Sequence, residues 1–104
     1  MVALKSLVAS AALLLLSTVG QAAELSPQQR AFREIYQELV EINTTDSIGD
    51  TTKAAEAMAA RLRAAGLADT QVLSSGPRKG NLVARLRGTG ARRPILLIAH
   101  IDVV

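Results

Sequence analysis

The sequence predicts an α/β fold: two N-terminal helices packed on the start of a mixed sheet. Three observations carry this. Apolar residues recur at helical spacing from Phe32 to Ile42 and again from Ala55 to Ala65. After Gly66 the period drops to two, with Leu82, Ala84 and Leu86 on one face. Pro94-Ile95-Leu96-Leu97-Ile98-Ala99 is then a continuous apolar run, which reads as a strand buried on both faces inside an α/β sheet.

The elements follow in order. Lys5, the apolar run Leu7–Leu16 and the small residues Gly20 and Ala22 read as a signal peptide over residues 1–22, with cleavage before Ala23. Counted on to Val19, the apolar run is about 13 residues, short of the roughly 20 that span a bilayer, which favours a cleaved leader over a membrane tether. The expected location is therefore periplasmic or secreted, with no membrane contact after cleavage. The sequence has no cysteine, which excludes a disulfide framework.

Ser26-Pro27-Gln28-Gln29 is a helix start. Ser26 caps, Pro27 fills the first helical position, and Gln29 completes a capping box. The predicted helix runs from Pro27 to Ile42, with Phe32, Ile35, Tyr36, Leu39 and Ile42 as its buried stripe. Asn43–Gly49 is a loop, and Asn43-Thr44-Thr45 matches a glycosylation sequon that a loop can spell by chance. Asp50, Thr51 or Thr52 caps a second helix with Ala55, Met58, Ala59, Leu62 and Ala65 buried. Gly66 ends it, and Leu67 supplies the accompanying hydrophobic contact. Gln71–Leu73 is a short strand, Ser74–Lys79 a turn, Asn81–Arg87 a half-exposed strand, and Gly88-Thr89-Gly90 a further turn.

Composition narrows the function. The 104 residues leave about 80 after the leader, enough for one modest core. At 49% hydrophobic and 20% charged, the sequence is too apolar for a disordered tail. A net charge of +3 is too small to argue for nucleic acid, and no nucleic-acid partner is expected. Arg78, Lys79, Arg85, Arg87, Arg92 and Arg93 form the largest charge feature. No aromatic residue interleaves with them for base stacking, so they read first as solvated charges flanking a hairpin. The alternative is an anion-binding face on a small exported interaction domain. Gly88-Thr89-Gly90 lacks the lysine and the third glycine of a phosphate cradle.

His100 and Asp102 lie where the last strand ends, at the kind of sheet edge where α/β folds hold ligands. Alternation puts both side chains on one face. There the carboxylate is placed to fix the tautomer of a metal-ligating imidazole. The spacing by itself is a weak signal, and a histidine satisfied in the core or at the surface is the commoner outcome.

The wider context resembles a known family. Ile95-Leu96-Leu97-Ile98-Ala99-His100-Ile101-Asp102-Val103-Val104 is similar to the first zinc-ligand motif of the M-twenty family of metallopeptidases. That group includes glutamate carboxypeptidases, aminoacylases, acetylornithine deacetylase and succinyl-diaminopimelate desuccinylase. Upstream, Leu39–Thr45, Arg61–Leu67 and Gly80–Leu86 are similar to the family's order of helices and strand. The resemblance implies a zinc-exopeptidase-like fold, a metal-ligand role for His100 and a catalytic supporting role for Asp102. It also implies two zinc ions per complete active site and hydrolysis of peptide or N-acyl-amino-acid amide bonds by a metal-activated water. The family's bridging Asp, its Glu pair, its other ligands and its second domain all follow this motif. Residues 23–104 are therefore expected to be the N-terminal portion of a catalytic domain, inactive alone.

Overall fold

The computed structural model describes residues 23–104, and the signal-peptide reading lies outside the described residues. The element order is helix α1 (Pro27–Glu41), helix α2 (Thr51–Ala64), strand β1 (Thr70–Ser74) and strand β2 (Gly80–Ala84). This is a mixed α/β arrangement, as expected. Among the described residues no helix is long and apolar enough to cross a membrane.

Helix α1 begins as its sequence dictates. The Ser26 hydroxyl accepts from the Gln29 amide at 3.2 Å, and the Ser26 amide donates to Gln29 Oε1 at 2.8 Å. Two of the four amide donors orphaned at a helix start are thereby satisfied. The expected buried stripe is only partly realised. Ile35, Leu39 and Ile42 are half-buried, whereas Phe32 and Tyr36 are exposed, and no residue of α1 is fully buried. The reason is that α1 packs closely on no other element, so only α2, and not both helices as expected, lies on the sheet. The Glu38 carboxylate pairs with Arg61 across the two helices, and both side chains stay partly solvated, so the pair contributes little.

Helix α2 is the centre of the core. Asp50 caps it, accepting from the Thr52 amide at 2.9 Å and the Lys53 amide at 3.3 Å. At its other end Gly66 adopts φ +90, its amide donates to Arg63 O, and the Leu67 amide donates to Leu62 O. This pair of bonds is the Schellman arrangement that a glycine makes cheap. Ala54, Ala55 and Ala59 are fully buried. Their small side chains let α2 lie close against β1 and β2, which it touches along both strands.

β1 and β2 form an antiparallel hairpin, with Val72 opposite Leu82 and Ser74 opposite Gly80. The close helix approach makes Gly80 obligatory, because a Cβ there would lie 2.7 Å from Thr52 Cα. β2 ends at Ala84, short of the expected Arg87, although the Arg85 amide still donates to Asp69 O at 2.8 Å.

The larger correction concerns Pro94–Ala99. It forms no regular strand, and Ile95, Leu96, Leu97 and Ile98 are between 81 and 89% exposed. A strand buried on both faces needs a neighbour on each edge and a layer on each side. No described element supplies them, so the sheet is a two-stranded antiparallel one rather than a mixed one. A parallel bridge pairs Thr45 with Val103 just beyond this run, separate from the hairpin.

Candidate functional site

Three segments distant in sequence converge on one open cleft of about 350 Å³. The loop after α1 contributes Thr44, Thr45, Asp46 and Gly49. The hairpin turn contributes Ser75 and Pro77–Asn81. The C-terminal segment contributes Ile98–Asp102.

The loop is shaped by its own polar groups. Asn43 Oδ1 accepts from the Thr45 amide at 3.0 Å and from the Thr45 hydroxyl at 2.9 Å. The Gly49 amide donates to Thr45 O at 2.8 Å, and the Asp50 amide donates to Asn43 O at 2.9 Å. The turn is so tight that a Cβ on Gly49 would sit 2.2 Å from Thr45 N. The C-terminal segment docks on this loop, with the Val103 amide donating to Thr44 O at 3.3 Å.

That docking sets out His100 and Asp102. His100 Nδ1 lies 3.3 Å from Asp102 Oδ1, although the stretch that carries them is not a regular strand. When Nδ1 carries the proton it donates to the carboxylate, which leaves the Nε2 lone pair available to an electrophile or a metal. The ring is open to solvent, with 94% of its side chain exposed against 58% for Asp102. No burial penalty therefore demands a partner for it.

The donor set for a metal is partial. Among the described residues there is no group of three or more His, Cys, Asp or Glu side chains placed to hold one. One imidazole and one carboxylate fall short of the about four ligands of a zinc site.

The basic residues do not act as one surface. Arg85 and Arg87 both reach Asp69 Oδ2, at 3.4 and 3.0 Å. Lys79 Nζ donates to Asp46 Oδ1 at 3.2 Å. The exposed Arg78 reaches inward, and its Nη1 donates to the carbonyl of the buried Gly49 at 2.9 Å. Four of the six cations are thus committed to the fold.

The sequence pattern singled out His100 and Asp102 but not the loop and turn that complete the cleft. These segments carry no hydrophobic period. Their only signal is the cluster of turn-forming residues on either side of α2 and β1, which marks loops without saying that two of them meet. Comparison with protein-family models, with curated proteins and with solved structures finds no match for this chain.

Proposed function

We propose that this chain is the N-terminal part of an exported zinc-dependent peptidase or amidohydrolase with a zinc-exopeptidase-like fold. Its substrates are peptides or N-acyl amino acids. The observation that carries this reading is the pairing of His100 Nδ1 with Asp102 Oδ1 at the edge of a cleft. His100 supplies one metal ligand through Nε2. Asp102 holds the ring in the tautomer that keeps Nε2 unprotonated and adds negative charge beside it. The exposed apolar run Ile95–Ile98 supports the same reading, since it has the composition of a central strand awaiting neighbours.

When bound, zinc in such a site polarises an amide carbonyl and lowers the pKa of a water. On this reading His100 supplies one of the ligands such a site needs, and the bridging Asp, the Glu pair and the other ligands of the similar family would complete it.

The test uses the product of the intact reading frame. It is expected to contain about two zinc ions per chain and to hydrolyse small N-acyl amino acids or dipeptides in a chelator-sensitive manner. His100→Ala should abolish both zinc retention and turnover. Hydrolysis that resists both chelator and His100→Ala would sink the proposal.

A further inference from the structure

We propose that Arg78 is a positioning residue for the His100–Asp102 pair. It would hold the pair's geometry through the loop on which the C-terminal segment docks. The proposal rests on the reading of His100 as a functional imidazole.

Arg78 is the one non-glycine residue with positive φ among the described residues, at +61. Such a conformation persists in a side-chain-bearing residue where the surroundings over-determine it. Here they do so on both sides. Its carbonyl accepts from the Thr51 amide at 3.0 Å and from the Thr51 hydroxyl at 3.2 Å, which pins the hairpin turn to the start of α2. Its guanidinium points the other way, and Nη1 donates to Gly49 O at 2.9 Å. Gly49 in turn donates to Thr45 O, and Thr44 O receives the Val103 amide. Val103 neighbours Asp102, whose carboxylate faces His100 Nδ1.

Arg78 therefore joins the hairpin turn to the start of α2 through its carbonyl and to the loop before α2 through its guanidinium, and that loop in turn carries the C-terminal segment. The Gly49 carbonyl accepts a charge-assisted bond, stronger than a neutral one, in a partly sheltered place. Without it, the loop keeps the neutral bonds within residues 43–50 and the solvent-exposed Lys79–Asp46 pair, which contributes little, and its register against Val103 is less firmly set. The orientation of Asp102 toward the imidazole follows that register.

The informative variant is Arg78→Gly. Glycine keeps the positive φ at no steric cost, so the turn survives while the guanidinium is removed. The chain has a single histidine, so one imidazole spin system reports the site. With the full chain and a neutral ring, the 15N spectrum of His100 is expected to show the Nδ1-protonated tautomer in the parent protein. Arg78→Gly should move it toward the Nε2-protonated form that dominates in water. The Val103 amide should exchange about five- to tenfold faster, the effect of losing roughly one hydrogen bond's net contribution. The Leu82 amide, inside the hairpin, should be unaffected.

If the tautomer and Val103 exchange stay unchanged in Arg78→Gly, the proposal is overturned. It is equally overturned if Leu82 and Val103 lose protection together, because Arg78 would then act on general stability. Neither readout depends on metal or substrate. A reading frame product without zinc would remove the proposed enzyme while leaving this coupling in place.

Discussion

Replacing Gly80 with alanine is the sharpest probe of how α2 packs on the hairpin. The added Cβ would meet Thr52 Cα at 2.7 Å, Thr52 Oγ1 at 2.9 Å and Thr52 Cβ at 3.0 Å. Carbon atoms settle at about 3.5 Å or more, so helix and strand must part by about 0.8 Å. A gap of that order forfeits about a quarter to a half of the dispersion attraction across the layer, here the packing of Ala55 and Ala59. Overpacking of this kind costs about 2–3 kcal/mol. The stiffer unfolded chain returns about 0.5–1 kcal/mol. The net loss is about 1–2.5 kcal/mol, which lowers a urea midpoint by about 1–2.5 M for a domain with a slope near 1 kcal/mol/M. Urea unfolding followed by circular dichroism of α1 and α2 measures it. Gly76→Ala is the control, because a Cβ there meets nothing within 4 Å. Adding Thr52→Ala should not rescue Gly80→Ala, since the backbone of residue 52 still stands in the way of the new methyl group. Equal midpoints for Gly80→Ala and Gly76→Ala would refute the argument.

Other outcomes follow from the same geometry. Asp50→Ala strips the α2 cap of an acceptor for two amides and should cost about 1–2 kcal/mol in the same urea assay, with Asp50→Asn recovering most of it. Leu96→Asp should suppress self-association of the 104-residue chain in light scattering, because it charges the middle of the exposed run Ile95–Ile98. An unchanged scattering profile would mean that this run is not what associates.

Features encoded within a few residues were legible in the sequence. The Ser26 capping box and the Gly66 stop depend on groups within four positions and appear as the spacing predicts, and of the three candidate caps for α2, Asp50, Thr51 and Thr52, Asp50 takes the role. The His100–Asp102 approach is equally local, two positions apart, although the strand from which alternation was argued does not form. Ala55 and Ala59 were legible because helical period and small volume point to the same burial, whereas Ala65, past the end of α2, is exposed and the buried Ala54 lay outside the predicted stripe. Phe32 and Tyr36 misled because amphipathic spacing says that a face seeks a partner, not that one lies within reach. Ile95–Ile98 misled in the same way. The run has the composition of a buried strand, but burial is a property of its neighbours. Arg78 was read as a solvated charge because its partner Gly49 is 29 positions away, and no local pattern connects them.

The bridge between Thr45 and Val103 has a kinetic consequence. α2, β1 and β2 are consecutive, so they come together early and at small entropic cost. Joining residues 45 and 103 closes a loop roughly tenfold longer than the hairpin's, at a cost about 2 kcal/mol higher. A single amide–carbonyl bond returns about 1 kcal/mol. The helix–hairpin unit therefore assembles first and the cleft last. In the native state the order reverses: the segment bearing His100 detaches before the unit of α2, β1 and β2 opens, which exposes the stretch after β2 to proteases while that core stays folded.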